Sequence, residues 1–240
     1  GFVSQLRGLG VDLEGMTIDG AETTRFTLDY RWADRVLSVS SVCEEIGPED
    51  VSGQPEAFLI APIVEEIPQS TLSSIQADTI ALDPQGFLRE IREDGRIIPK
   101  HWSDEKLLKR LTIFKSSEEE LKLITGEANP IWGLEKIIRI GAEVAIATMG
   151  REGALLATRR NRFSIPVLRL RKELDPTGAG DAFVGGFLME YLNGEDSLWC
   201  ASMGSAIASC VVETLGAKMD SSMKEVRKRA EEIYNNIERL

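Results

Sequence analysis

The alternation of short apolar runs with amphipathic segments constrains this chain more than any other feature of its sequence. Four runs are almost continuously apolar, as in strands that are buried on both faces of a sheet. The segments 117–124 and 132–140 place apolar residues at helical spacing. Strands that alternate with helices of this length predict an α/β fold with a mostly parallel central sheet flanked by helices. The four runs are 57–63, 79–82, 111–114 and 143–148.

The two ends of the chain follow other patterns. Strand-like segments near the start predict a small antiparallel sheet, so we expect an α/β domain of residues 1–10 and 41–240 with a β-stranded lid over residues 11–40. Near the other end, a hairpin is followed by three helices, with Gly194 and Gly216 as C-terminal caps. The lid segments are 11–18, 23–30 and 35–39, the hairpin strands are 153–158 and 162–169, and the helices are 181–192, about 196–214 and about 221–239.

Composition excludes several classes of function. The 240 residues include 28 Lys and Arg against 39 Asp and Glu, and the net charge of −11 argues against nucleic acid or an anionic membrane as the main partner. The longest nearly apolar run, 57–64, is too short to span a bilayer, and the first residues lack a signal-peptide pattern, so we expect a cytoplasmic protein. His101 is the only histidine, which excludes a histidine-based metal cluster. Cys43, Cys200 and Cys210 are expected to be free thiols.

The stretch 174–183 carries the strongest chemical signal. A strand-like segment ends near Leu174, a glycine-rich turn follows, and a helix begins close to Gly180. Such a turn directs free N–H groups and the positive end of the helix at one point, which is a site for an anion. Thr177 is placed to cap this helix. Asp181 would lie beside the anion, where a carboxylate is unfavourable unless it has a role such as accepting a proton from an attacking hydroxyl.

Two common phosphate-binding motifs do not fit this stretch. A Walker loop requires a lysine after its second glycine, and the stretch has none. The dinucleotide-binding fingerprint requires a third glycine where Phe183 stands. The simpler alternative is a glycine-rich turn that Asp caps and that has only a structural role.

The whole of 175–183 resembles the second signature of the ribokinase-like sugar kinases, which are also called the PfkB family. Other segments resemble parts of that family in the same order, and together they cover almost the whole chain. The family's first signature, an N-terminal Gly-Gly segment, has no counterpart, so we expect an N-terminally incomplete member. The resemblance implies a ribokinase-like fold with a small β lid. The other segments are 82–89, in which Gln85 replaces the usual Asn, 115–126, in which Ser117 does so, 148–153 and 201–217.

The resemblance also implies roles for individual residues. Asp181 would be the catalytic base, and Glu120 would help to hold magnesium. The backbone of Gly178, Ala179 and Gly180, whose small side chains let a phosphate approach closely, would form the anion hole. ATP and Mg2+ are the implied cofactors, and a monovalent cation is a further candidate. The remaining predicted residues of the nucleotide site are Lys115, Ser117, Thr148, Gly150, Gly153 and Thr177.

Some of these residues also have a structural explanation. Ser117 and Glu120 have the spacing of a helix capping box, and one residue can both cap and coordinate. Gly150 and Gly153 could be turn residues only.

We therefore expect an enzyme that transfers the γ-phosphate of ATP to a hydroxyl of a sugar or polyol. Two alternatives stay open. One is a nucleoside/pyrimidine or inositol kinase of the same family, since the segments 62–67 and 83–85 are similar to the inositol kinases. The other is a non-catalytic nucleotide-binding protein.

The predicted lid carries more apolar residues than a solvated flap needs. A sheet of that size is not stable alone, so one of its faces must be covered. Substrate can cover only part of that face, and we expect a homodimer that pairs lid against lid, as the resemblance also implies. The apolar positions are Val11, Leu13, Phe26, Leu28, Val36 and Val39.

Overall fold

The computed structural model describes residues 2–16, 22–29, 36–51, 53–168, 172–216 and 219–240. Its helices are α1 (Phe2–Gly8), α2 (Gln69–Ser74), α3 (Glu105–Leu108), α4 (Glu118–Thr125), α5 (Pro130–Ile140), α6 (Ala179–Leu192), α7 (Ser197–Val212) and α8 (Met223–Tyr234). Its strands are β1 (Arg25–Asp29), β2 (Val36–Ser41), β3 (Ala57–Ile60), β4 (Thr79–Leu82), β5 (Arg89–Ile91), β6 (Ile97–Pro99), β7 (Ile113–Ser117), β8 (Val144–Thr148), β9 (Ala154–Thr158), β10 (Arg162–Ile165) and β11 (Glu238–Arg239).

A seven-stranded sheet forms the centre of the fold, in the order β11-β10-β9-β8-β7-β4-β3. The four strands β3, β4, β7 and β8 pair in parallel, and β9, β10 and β11 continue the sheet in antiparallel pairs. Within this seven-stranded sheet, all strands except β9 and β11 therefore point the same way. The predicted α/β fold with a mostly parallel central sheet is confirmed.

Different helices cover the two faces of the sheet. Ile80 and Leu82 of β4 belong to an apolar cluster that includes Ile137 of α5. Ala81, between them, belongs to a second cluster that includes Phe187 of α6. Successive side chains of a strand point to opposite faces, so a strand covered on both faces must be apolar at every position. This double burial explains the continuous apolar runs in the sequence.

Proline explains two strands that end earlier than predicted. β3 ends at Ile60 instead of continuing to residue 63, and β10 ends at Ile165 instead of residue 169, which lies outside the described residues. Pro62 and Pro166 follow these ends, and a proline has no N–H to donate to a neighbouring strand. The strand predicted over 111–114 is displaced toward the C-terminus and forms β7.

The last helix also ends earlier than predicted, and an unexpected strand follows it. Asn235 is the C-cap of α8, and Asn is a weak helix former. Residues 238–239 then pair with β10 as β11, and Leu240 N–H donates to Arg162 O at 2.9 Å. Residues 238–239, which the sequence predicted as helical, therefore form the edge strand of the sheet.

Two of the three strands predicted for the lid are present. β1 and β2 pair antiparallel with Leu28 opposite Leu37, while residues 30 and 35 lie outside the described part of the chain. Residues 11–16 form no strand, so the strand predicted over 11–18 is wrong as far as it is described; residues 17 and 18 are not. Glu14 N–H donates to Asp12 Oδ1 at 3.0 Å, and such a local turn competes with strand pairing.

An additional hairpin joins the sheet of β1 and β2. β5 and β6 pair antiparallel, which the sequence did not predict. Ser38 of β2 forms a bridge to Arg96, and Val39 N–H donates to Gly95 O at 2.9 Å. The two hairpins therefore form one connected antiparallel layer.

The three cysteines are free thiols, as expected. Burial is the main cause that raises the pKa of Cys200 to about 12, so its thiol stays protonated and unreactive at neutral pH. Within the described ranges, no helix is both long and apolar enough to cross a membrane.

Close packing between α6 and α7 holds the start of α6 against the sheet. A Cβ atom on Gly204 of α7 would lie 2.7 Å from Phe183 O and 3.3 Å from the Phe183 ring. A Cβ on Gly186 of α6 would in turn lie 3.3 Å from Gly204 Cα. The two backbones therefore approach more closely than a side chain at position 204 would allow.

We predict that Gly204→Ala lowers the free energy of unfolding by about 1–3 kcal/mol because the new methyl group overpacks this contact. Urea denaturation measures the change. Gly185→Ala is the matched control, since a Cβ at this exposed helical glycine meets nothing within 4 Å. That variant should be about as stable as the parent or more stable by up to ~1 kcal/mol. A Gly204→Ala variant of parental stability would contradict the prediction.

Candidate active site

A buried ion pair joins the residue after the carboxyl end of β4 to the middle of β7. Leu82 pairs with Phe114 in the parallel register, so the residues that follow, Asp83 and Lys115, meet at the same edge of the sheet. Lys115 Nζ donates to Asp83 Oδ2 at 2.7 Å, and the two side chains are only 5% and 4% exposed. Asp83 Oδ1 is buried without a partner among the described residues.

The ammonium group of Lys115 lies against the first turn of α6. A Cβ atom on Gly180 would be 2.8 Å from Lys115 Nζ. Gly180 therefore leaves space for this ammonium group. The strands β4 and β7 and the start of α6 therefore meet at Asp83, Lys115 and Gly180.

The N-terminus of α6 presents free N–H groups, as the sequence predicts for an anion site. Among the described residues, the N–H groups of Gly178, Gly180 and Asp181 have no acceptor, whereas Ala179 N–H donates to Pro176 O at 3.2 Å. The N-cap residue of α6 is Gly178, whose backbone is left-handed, and not the predicted Thr177. This cap makes no side-chain hydrogen bond. Of the three predicted anion-hole residues, two thus have a free N–H group.

Asp175 connects this turn to the end of α7. Its Oδ1 accepts from Thr177 N–H at 3.0 Å, and its Oδ2 accepts from Gly216 N–H at 3.2 Å. Leu174 N–H also donates to Val212 O at 2.8 Å. The glycine-rich turn is therefore held from both sides. Gly194 directly follows the C-cap Asn193 of α6 and has a positive φ angle, as predicted for a C-terminal cap. The cap predicted at Gly216 is wrong, because α7 ends at its C-cap Glu213, three residues earlier.

Asp181 lies in the first turn of α6 and is exposed to solvent. Neighbouring protein atoms still remove part of its hydration, and this desolvation is the main cause that raises its pKa. The charge of Asp83 raises the pKa further, while the charges of Lys115 and Arg89 oppose the shift. Asp181 follows Gly180, which lies against Lys115, so Asp181 is close to the buried ion pair.

Ser117 and Glu120 form a complete capping box at the start of α4. Ser117 N–H donates to Glu120 Oε2 at 2.8 Å, and Glu120 N–H donates to Ser117 Oγ at 3.2 Å. Burial is the main cause that raises the pKa of Glu120, and the hydrogen bond from Ser117 opposes it. The structural explanation of this motif is thus correct, and it leaves the Glu120 side chain on the wall of a cavity.

A cavity of about 700 Å³ opens beside these groups. Its volume is in the range of ligand pockets. Eight of the predicted site residues line it, namely Lys115, Ser117, Glu120, Thr148, Gly150, Gly153, Ala179 and Gly180. Thr177, Gly178 and Asp181 do not line it, although they are chain neighbours of residues that do.

The other walls of this cavity include residues that were not among the predicted site residues. Ser205, Ala208 and Ser209 of α7 lie in the segment 201–217, whose resemblance to the family was their only signal in the sequence. Pro166 and Lys172 come from the segment after β10. No motif distinguishes them, because this segment reaches the cavity only through the tertiary fold.

Gly150 and Gly153 are also required by the turn between β8 and β9. Their φ angles are +54° and +91°. A Cβ atom on Gly153 would collide with Ile165 O. Thr148 Oγ1 donates to Ser116 O at 3.3 Å and joins the ends of β8 and β7. The glycines are therefore turn residues that also line the cavity.

The sequence identifies the protein family to which this fold and cavity belong. The family described as pfkB family carbohydrate kinase matches residues 85–223, which is more than half of the chain. The chain therefore belongs to this family.

Relatives and solved structures agree with this assignment. An uncharacterized sugar kinase of Archaeoglobus fulgidus is 33% identical over 48% of this chain and 45% of its own length. The 2-dehydro-3-deoxygluconokinase of Thermoproteus tenax is 25% identical over 98% of this chain and 76% of its own length. A putative ribokinase II from E. coli, in complex with ATP and Mg2+, has the same fold, with a TM-score of 0.74 and 20% identity over 96% of this chain and 78% of that chain. The matched segments span less than half of the first curated relatives.

We predict that Gly178→Ala lowers the free energy of unfolding by about 1–2 kcal/mol, because position 178 has a φ of +81°. A Cβ there meets nothing within 4 Å, so the effect belongs to the backbone conformation alone. Gly178→Asn is the matched comparison and should lose less, since Asn tolerates this conformation. Urea denaturation measures both variants. Equal losses in Ala and Asn variants would argue against this explanation.

Proposed function

We propose that this protein transfers the γ-phosphoryl group of ATP to a hydroxyl group of a sugar or polyol. The observation that carries the proposal is the placement of Asp181 beside free N–H groups at the start of α6, next to the cavity. A phosphoryl group bound there would have donors on one side and a proton acceptor within the same helical turn.

Asp181 is the proposed catalytic base. It accepts the proton of the attacking hydroxyl while that oxygen forms its bond to phosphorus and the bond to the leaving oxygen of ADP breaks. A raised pKa makes a carboxylate a stronger base, and both the partial desolvation by neighbouring protein atoms and the charge of Asp83 raise the pKa of Asp181. The base must be ionised, so turnover should fall as the pH drops through the pKa of Asp181.

The N–H groups of Gly178 and Gly180 are the proposed anion hole. Free N–H groups at a helix N-terminus point along the helix axis toward the ligand, where they stabilise developing negative charge. Ser117, Thr148, Gly150 and Gly153 would border the nucleotide in the cavity, with Thr177 beside it.

Glu120 fits the requirements of a magnesium ion bound together with ATP. The described residues contain no group of three or more His, Cys, Asp or Glu side chains that could hold a metal. Magnesium does not need one, since it usually keeps several waters and binds through one or two carboxylates and substrate phosphates. When bound, it would neutralise phosphate charge. Glu120, held in place by Ser117, would face it from the wall of the cavity.

The acceptor class within this family is broader than sugars. Curated relatives of this chain include proteins named nucleoside kinase and inositol 3-kinase. Gln85, from the segment that is similar to inositol kinases, lines the cavity. Nucleosides and myo-inositol therefore belong in any acceptor panel.

We predict that ADP release depends on Asp181. Over a panel of sugars, polyols and nucleosides, Asp181→Asn should lower kcat by about 10²–10⁴-fold while ATP affinity measured by calorimetry stays unchanged, because the lost interaction belongs to the transition state. Asp78→Asn, an exposed carboxylate before β4, is the control and should behave like the parent.

The outcomes of this experiment separate the alternatives. A rate of Asp181→Asn close to that of the parent would exclude Asp181 as the base. ATP binding by the parent without ADP release for any acceptor would favour a non-catalytic nucleotide-binding protein.

We further propose that the layer of β1 and β2 is a lid over the acceptor and pairs with a second copy in a homodimer. Phe26 and Leu28 of β1 are half-buried, whereas Thr27 between them is exposed. The guanidinium of Arg89 stacks over the Phe26 ring at 5.4 Å. This side of the sheet is therefore the apolar side, and a partner lid would cover what the chain itself leaves open.

We predict that Leu28→Glu converts a dimer into monomers at micromolar concentration, because a charge would be buried in the lid–lid contact. Light scattering measures the molar mass. Thr27→Glu, on the opposite side of the same strand, should leave the dimer intact. A parent protein that is monomeric, or a dimer that tolerates Leu28→Glu, would contradict this arrangement.

A further inference from the structure

The ion pair of Asp83 and Lys115 lies near Asp181 and can change the electrostatic environment of its carboxylate. Lys115 Nζ would be 2.8 Å from a Cβ on Gly180, the residue before Asp181. This ammonium group nevertheless bonds to Asp83 at 2.7 Å. Among the described residues, Asp181 itself has no ion pair. The ammonium group of Lys115, which lies near the proposed base, is therefore paired with the carboxylate of Asp83.

The location of this cation needs an explanation. The N-terminus of a helix carries a partial positive charge, so an ammonium group beside it is unfavourable. Burial adds to this cost, because a buried charge without a partner is strongly destabilising. Pairing with Asp83 offsets both the repulsion from the helix N-terminus and the cost of burying the ammonium group. Its own position is fixed by the parallel register of β4 and β7, which brings it beside Lys115.

We propose that Lys115 and Asp83 are positioning residues for the proposed base: Asp83 holds the ammonium group of Lys115 against the first turn of α6 and prevents it from pairing with Asp181. The inference rests on the proposed role of Asp181. A carboxylate that pairs with an ammonium group is a weaker base, and in this arrangement Asp181 stays unpaired. Lys115 then acts on the reaction through Asp181 and the start of α6.

The charged groups that act on the pKa of Asp181 belong to three parts of the fold. Asp83 follows β4, Lys115 belongs to β7 and Arg89 belongs to β5. The charge of Asp83 raises the pKa of Asp181, and the charges of Lys115 and Arg89 lower it. The two members of the ion pair therefore act on Asp181 in opposite directions, and their removal should have opposite effects.

The test is the pH dependence of kcat/KM in three variants. Asp83→Asn should move the acidic limb to lower pH, on the order of one pH unit, because the freed ammonium group of Lys115 then stabilises ionised Asp181. Adding Lys115→Met to Asp83→Asn should move the limb back to higher pH, because the cation is gone. Asp94→Asn is the control. Asp94 pairs with Arg96 at 2.6 Å on the exposed β5–β6 turn and should leave the profile unchanged.

A second readout separates this inference from the proposed function. The 13C carboxyl resonance of Asp181, assigned by its loss in Asp181→Asn, can be titrated without substrate. Its midpoint should fall in Asp83→Asn and rise again in the double variant. These shifts without any turnover in the parent would support the ion-pair arrangement and contradict the kinase proposal. A limb and a midpoint that do not move, or that move in the same direction in the two variants, would overturn the inference, since a purely structural role predicts loss of stability without opposite shifts.

Discussion

The parallel pairing of β4 with β7 decides where chemistry can occur in this fold. The register that places Leu82 beside Phe114 also brings Asp83 and Lys115 together at one edge of the sheet. Burying either charge alone would destabilise the fold, so the pair depends on the register that places the residue after β4 beside Lys115 of β7. The α6 helix begins on this edge, and its close contact with α7 through Gly204 keeps it there. The cavity, the free N–H groups and the ion pair all follow from this arrangement.

Local sequence predicted most of this architecture. The apolar runs that became β4 and β8 are recognisable because both of their faces are covered, and the Ser117–Glu120 spacing specifies the start of α4 without any tertiary contact. The glycine-rich turn before Asp181 likewise predicted a helix start with free N–H groups. In each case the signal lies within one turn or one strand, so neighbouring residues are sufficient to carry it.

The features that escaped prediction depend on residues far apart in the chain. Asp83 and Lys115 are 32 positions apart, and only the strand register shows that they meet. Pairing with β10 turned residues 238–239 into a strand after a helix that was expected to continue. The sequence explained Gly178 only by the approach of a ligand, whereas its positive φ favours glycine whether or not a ligand is present. The strand predicted at the start of the chain failed for a local reason instead, because the hydrogen bond between Glu14 N–H and Asp12 competes with strand pairing.

The start of α6 links ligand binding to folding. A side-chain cap often satisfies one of the first N–H groups of a helix, and Gly178 has no side chain to offer. The first turn is therefore under-stabilised until an anion occupies it. By thermodynamic linkage, a ligand at about 100 times its dissociation constant adds about 2.7 kcal/mol to the stability of the folded chain. The same turn is tied through Asp175 to the end of α7, so the order that an anion imposes extends to the far wall of the cavity.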